Sequence, residues 1–199
     1  MTQTIQILEF AQHRGMVRAA DLRQHGWSPQ LLLRLHQTGQ LQRVSRGLYS
    51  LPNGEITEHH TLIEVCQRVP KGVLCLLTAL RYHGIGTQQP HAVWLALPEG
   101  TQAPALDYPT LRIARLRGEA YSEGIQTVTE HGAPIRVYSL AKTVTDCFKF
   151  RNKIGIDVAL EALKDAWHNK RATMAELRHF ARINRVEKVM QPYLESVAA

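Results

Sequence analysis

Cysteine is scarce in this chain: Cys66, Cys75 and Cys147 are the only three among 199 residues, and no pair has CxxC spacing. A disulfide framework and a zinc-ribbon type of metal site are therefore not expected, and reduced core thiols are the default. No apolar run approaches the roughly 20 residues needed to cross a bilayer. The opening segment MTQTIQILEF has no basic stretch followed by an apolar one, so no secretory leader is expected, and a cytoplasmic location with no membrane partner is. A phosphate-binding GxxxxGK loop and a glycine-rich dinucleotide fingerprint are both missing, and Gly84 and Gly86 read as a helix stop and a turn. No cofactor is expected.

What is present describes a globular chain. Hydrophobic residues make up 44% and charged residues 21%, which excludes a wholly disordered polymer. The length permits one large domain or two small ones, each with its own core. The formal net charge is +7 and the isoelectric point is near 9.6. A basic surplus of this size favours an anionic partner, because phosphate contacts gain from counterion release.

Residues 4–12 place Ile5 and Leu8, with Ile7 beside them, at helical spacing, and Gly15 ends that helix. Met16 and Val17 read as a short extended connector. A second helix is expected from Ala19 to His25, stopped by Gly26. Trp27-Ser28-Pro29-Gln30 is the clearest helix start in the chain. Ser28 suits the N-cap, where a hydroxyl accepts a free backbone N–H, and Pro29 suits the first helical position. The third helix runs through QLLLRLHQT to Gly39. Beyond it Leu41, Val44, Leu48, Tyr49 and Leu51 flank a Ser45-Arg46-Gly47 turn, the pattern of a β-hairpin with a basic tip. Pro52-Asn53-Gly54 closes the segment, which divides the chain into a domain of residues 1–55 and one of residues 56–199.

Three short helices followed by a basic hairpin is the order of a winged helix-turn-helix, whose third helix enters the major groove of duplex DNA. Leu31, Leu32 and Leu35 would anchor that helix. Gln30, Arg34 and Gln37, at i, i+4 and i+7, then share the opposite face, with Leu33 beside them for a thymine methyl. Arginine bridges guanine O6 and N7, and glutamine pairs with adenine N6 and N7. Ser28 suits a phosphate, and Arg43 and Arg46 suit phosphates or the minor groove. Residues 1–55 hold six arginines and no lysine against Glu9, Asp21 and Glu55, and arginine's planar fork fits phosphate and guanine better than lysine does. The same fold also serves as a protein-docking module, so fold by itself does not decide between the two.

From Thr57 the pattern changes. Helices are expected over 57–69 and, after the Pro70-Lys71-Gly72 break, over Val73–His83. Strands are expected at 91–97, 111–116, 125–130 and 135–138. Helices follow at about 140–151, capped by Ser139, at 155–169, after Thr173, and after Asn184. The expected class is therefore α+β: an N-terminal winged helix-turn-helix, then a mixed α/β domain with a small sheet and a helical C-terminal part.

Other chemistry finds little support. His59-His60 lack a partner at metal-ligand spacing, with Glu55 and Glu58 near only in sequence. Cys147 follows Asp146 but lies on the apolar stripe of Leu140, Val144 and Phe148, and Cys75 sits among leucines, so both read as buried inert thiols. Glu161 and Lys164 read as an i,i+3 surface pair. Lys142, Lys149, Arg151 and Lys153 cluster around one helix end. They read either as cations favoured by a helix C-terminus or as a second surface for an anionic partner.

The run GWSPQLLLRLHQTGQLQRVSRGLYSLP resembles the N-terminal winged helix of the AbiEi antitoxin family, from type IV abortive-infection toxin–antitoxin systems. The resemblance continues in PKGVLCLLTALRYHGI and in VYSLAKTVTDCFKFRNKIGIDVALEALK, and is thinnest around 98–130 and after 170. It implies a transcriptional repressor that binds repeats in its own promoter and counteracts a nucleotidyltransferase-like toxin, without requiring a stable complex with it. It implies that Ser28, Gln30, Arg34 and Gln37 belong to the recognition helix and Ser45, Arg46 and Gly47 to the wing turn. The C-terminal domain would serve antitoxicity or self-association on DNA. No catalytic residue is implied, and the chain is not expected to be an enzyme. A stand-alone regulator or docking module without a toxin is the alternative.

Overall fold

The first three helices each give way to a glycine in the left-handed region. Helix α1 (Gln3–Arg14) is followed by Gly15 (φ 75°), α2 (Ala19–Gln24) by Gly26 (φ 71°) and α3 (Gln30–Gln37) by Gly39 (φ 71°). A side chain there would meet the following carbonyl, so glycine lets the chain turn sharply between short helices. The structure is a computed structural model describing residues 3–45, 47–52, 60–106, 109–130 and 133–198. It is mixed α+β and divides into two compact units, Met1–Arg68 with Val128–Ile135 and Val69–Thr127 with Arg136–Ala199. The boundary expected between 55 and 56 falls outside the described residues.

In the first unit, Met16 and Val17 are a strand and not a connector. Strand β1 (Met16–Arg18) joins β2 (Gln42–Ser45) and β3 (Leu48–Ser50) in a three-stranded sheet of order β1-β3-β2. Both pairings are antiparallel, with Val17 opposite Tyr49 and Arg43 opposite Tyr49 on the other side, and the β2 register shifts between Arg43 and Ser45. Three residues carry too little periodicity to announce a strand; the partner across the sheet makes it one. Ile7, Ala11, Val17, Leu22, Leu32, Leu35, Leu41 and Tyr49 form the core of this unit. Helix α4 (His60–Arg68) lies within the helix expected over 57–69.

A second sheet has five strands in the order β6-β5-β4-β8-β7. Its strands are β4 (Val73–Leu74), β5 (Val93–Pro98), β6 (Leu111–Leu116), β7 (Ile125–Glu130) and β8 (Ala133–Tyr138). Residues 128–135, spanning the end of β7 and the start of β8, are grouped with the first unit. Strands β5 and β6 run parallel, β4 pairs antiparallel with β5 and parallel with β8. The single helix expected from Val73 is instead β4 followed by α5 (Leu76–Tyr82), because Val73 and Leu74 pair with Ala96 and Leu95. A short α6 (Glu119–Ser122) had no sequence signal. The helix expected over 140–151 breaks at Phe150 into α7 (Leu140–Lys149) and α8 (Arg151–Ile154). Then come α9 (Ile156–His168), α10 (Met174–Ile183) and α11 (Glu187–Ala198). Ser139 caps α7 through its hydroxyl, as expected, and Thr173 caps α10 in a reciprocal box with Glu176. Leu80, Trp94, Val144, Phe148, Leu163, Leu177 and Met190 lie in the common core.

One ion pair lies inside that core. The Lys142 ammonium donates to Asp146 one helical turn on, both side chains being essentially unexposed (0% and 1%). It also lies 4.3 Å from the centre of the Tyr138 ring. Asn184 donates its amide to Asp146 Oδ1 at 2.7 Å and to Thr145 Oγ1 at 3.0 Å. Burial holds the Asp146 carboxyl above its ordinary value, against the opposing pull of Lys142 and Asn184. Two charges taken out of water are tolerable only together, so removing one strands the other. We expect Lys142→Met or Asp146→Leu by itself to cost about 3–5 kcal/mol in urea unfolding, and the double substitution to recover most of that loss. Additive losses would mean that the two groups do not act as a pair.

Candidate nucleic-acid interface

The site is built outward from the underside of α3. Leu32 and Leu35 are 2% and 3% exposed. With 100° of rotation per residue, burying them turns Gln30, Leu33, Arg34 and Gln37 outward. All four are exposed, Leu33 to 52%. An apolar side chain thus sits in the middle of an otherwise polar, singly charged face.

The start of α3 differs from the sequence expectation. Pro29 is already in helical conformation (φ −61°, ψ −22°) and occupies the cap position, with no side-chain cap. Ser28 contributes its carbonyl and not its hydroxyl, accepting Leu31 N–H at 3.1 Å, and Pro29 accepts Leu32 N–H at 3.2 Å. Ser28 therefore does not cap α3, and its side chain is exposed beside the helix start. The preceding turn is held by rings: His25 stacks on Trp27 at 4.7 Å, and Phe10 meets both edge-on at 4.9 and 5.8 Å. The sequence offered no sign of this cluster, since Phe10 is remote from the other two along the chain.

At its other end α3 is tied to the hairpin. Thr38 Oγ1 donates to the carbonyls of Arg34 and Leu35 at 3.1 and 3.2 Å. His36 lies 3.1 Å through Nδ1 from the Leu41 carbonyl, which can only accept, so Nδ1 carries the proton. The His36 ring also faces Tyr49 at 6.0 Å, and Gln42 Nε2 donates to Ser50 Oγ at 3.1 Å. Arg43 is exposed on β2. Ser45 ends that strand and Gly47 has φ 78°. Arg46 and the side chain of Ser45 lie outside the described residues.

Of the four cations expected around the end of α7, Lys142 is removed from the surface. Lys142 is fully buried and committed to Asp146, so it belongs to no surface. Arg151 donates to the Phe148 carbonyl at 2.9 Å, and exposed Lys153 lies 5.6 Å from the Phe150 ring centre. Lys149 is half-buried and donates to the Asn184 carbonyl at 3.3 Å. Glu161 does not pair with Lys164: its Oε1 accepts Thr87 N–H at 3.1 Å, while Asp165 Oδ2 accepts Gly86 N–H at 3.0 Å, so α9 fastens the loop after α5. Cys75 and Cys147 are buried, and burial raises both thiols well above their ordinary range. Glu55, Glu58 and His59 lie outside the described residues, as does the His60 side chain. Among the described residues no group of three or more His, Cys, Asp or Glu is placed to hold a metal ion, and no helix is long and apolar enough to cross a membrane.

The first unit thus combines helices α1 to α3, a three-stranded sheet containing a hairpin and an outward polar helix face. Residues 6–52 match the family model of the transcriptional regulator, AbiEi antitoxin. That segment runs from within α1 to just past β3, under half of the chain, and connects this unit to a family of regulators. No curated protein matches the chain at a significant level. Among solved structures, the RV2827C protein from Mycobacterium tuberculosis is similar, with a TM-score of 0.58 and 14% identity over 92% of this chain and 72% of that one. Identity that low speaks for a shared fold and no more.

The AbiEi-matched segment makes a direct prediction about α3. Leu35→Ala should cost about 2–5 kcal/mol in thermal or urea unfolding, because it opens a cavity in the small core. Leu33→Ala should stay within about 0.5 kcal/mol. Equal losses at the two positions would show that the buried and outward faces have been exchanged.

Proposed function

We propose that the chain is a DNA-binding transcriptional repressor and the antitoxin of a type IV toxin–antitoxin system. In this proposal residues 1–55 are a winged helix-turn-helix, α3 is its recognition helix and the β2–β3 hairpin its wing. The observation that carries it is the outward face of Gln30, Arg34 and Gln37, held by buried leucines in a segment that matches the AbiEi family. Arg34 would read guanine, Gln30 and Gln37 adenine, and exposed Leu33 a thymine methyl. Ser28, Arg43, Ser45 and Arg46 would meet sugar and phosphate, fixing register.

Residues 56–199 would be the antitoxin domain. The protein would repress its own operon by binding repeats in its promoter. It would oppose a nucleotidyltransferase-like toxin without forming a stable complex, as the family resemblance implies. No reaction is assigned to this chain. Leu33 also suits a second reading, a docking module that places an apolar side chain against a partner protein.

Binding of the purified chain to the region upstream of its own operon separates the two. Arg34→Ala should weaken binding there by about 1–3 kcal/mol and relax the preference at one base position. Unchanged affinity would remove Arg34 from base reading. Failure of the unaltered protein to prefer its promoter over random DNA would favour docking.

A further inference from the structure

The polar face of α3 carries an apolar side chain at its centre. Leu33 is 52% exposed, more than Ile5 at 47% and Ile156 at 38%, the other large apolar side chains exposed among the described residues. A single exposed leucine is ordinary on a protein surface, so its neighbours decide what it means. Those neighbours are Gln30, Arg34 and Gln37, all exposed.

The helix sets how Leu33 stands relative to Arg34. Each residue turns the helix by about 100° and advances it by about 1.5 Å, so Gln30, Leu33, Arg34 and Gln37 share an arc of about 100°. Leu32 and Leu35, 2% and 3% exposed, hold that arc outward. The backbone is closed at Arg34, whose carbonyl accepts both the Thr38 N–H at 3.0 Å and Thr38 Oγ1 at 3.1 Å. The Arg34 guanidinium has no ion pair within 4.0 Å among the described residues, which leaves its donors for a base edge.

Consecutive Cα atoms are about 3.8 Å apart and consecutive bases on a strand about 3.4 Å. With Arg34 on a guanine, Leu33 therefore falls over the edge of an adjoining base pair. The apolar group on a major-groove edge is the methyl at C5 of a pyrimidine. Thymine always carries it, and cytosine carries it once methylated. Leucine has no donor or acceptor with which to tell thymine O4 from the cytosine amine, so the methyl group is what it can register.

We infer that Leu33 and Arg34 read one two-base step, a guanine beside a 5-methylpyrimidine, and that 5-methylcytosine satisfies Leu33 as thymine does. The inference rests on α3 being the base reader. It makes operator affinity respond to methylation of a cytosine beside that guanine, a mark carried by the DNA while the protein stays unaltered. A leucine kept for docking a partner protein would be indifferent to that mark.

The full chain, Leu33→Ala and Arg34→Ala are compared by fluorescence anisotropy on labelled duplexes of the chain's own promoter. Placing 7-deazaguanine at one guanine at a time finds the guanine whose N7 matters to the unaltered chain and not to Arg34→Ala. In the two pairs adjoining it the pyrimidine is then exchanged, uracil against thymine and cytosine against 5-methylcytosine, so that each comparison differs by one methyl group. At one of those pairs the unaltered chain should bind the methylated member of both comparisons about fourfold more tightly, the effect of one methyl group leaving water. Leu33→Ala should bind the members of each comparison equally, and Arg34→Ala should keep the preference. Equal binding by the unaltered chain, with the Arg34-dependent guanine still found, overturns the inference and leaves base reading by α3 standing. A methyl preference that survives Leu33→Ala overturns it as well, by assigning the contact to another residue. If no guanine depends on Arg34, the base-reading proposal and the inference fall together.

Discussion

Leu32 and Leu35 hold α3 by its underside, and the rest of the proposed interface follows from that anchorage. Each buried leucine contributes on the order of 1.5–3 kcal/mol relative to exposure, enough to fix the rotation of an eight-residue helix that would not be stable in isolation. Once the rotation is set, Gln30, Leu33, Arg34 and Gln37 have no direction left but outward. The ring cluster of Phe10, His25 and Trp27 fixes how the chain enters the helix. The His36 bond to Leu41 fixes where the hairpin leaves it. Helix and hairpin are therefore joined through His36, which meets both Leu41 and Tyr49.

The second unit buries a pair of opposite charges. In its core Lys142 and Asp146 cancel each other, with Asn184 and the Tyr138 ring replacing the lost water. A buried pair of this kind contributes little net stability but makes any rearrangement that separates the partners expensive. The same Asn184 offers its carbonyl to Lys149 at the end of the helix.

Much of this was legible in the residues, for definite reasons. The leucine spacing of α3, the glycine stops and the two strands that flank the Ser-Arg-Gly segment are local signals, and each lies where the residues placed it. Ser28 misled because Pro29 had already taken helical backbone, so the serine carbonyl did the work expected of its hydroxyl. Strand β1 was missed because two or three residues acquire strand character only from their partner across the sheet. Strand β4 vanished into a continuous apolar run for the same reason. Lys142 looked like a surface cation because nothing local betrays burial, although its spacing of four from Asp146 was a clue.

The central claim is that α3 lies in a major groove with Arg34 against a base edge. Dimethyl sulfate footprinting of the chain's own promoter tests it most directly, because the reagent methylates guanine N7 on the major-groove edge that arginine would cover. The account predicts protection of specific guanine N7 positions by the full chain, and selective loss of that protection with Arg34→Ala while the remaining footprint persists. Binding that leaves every guanine N7 open to methylation would contradict it.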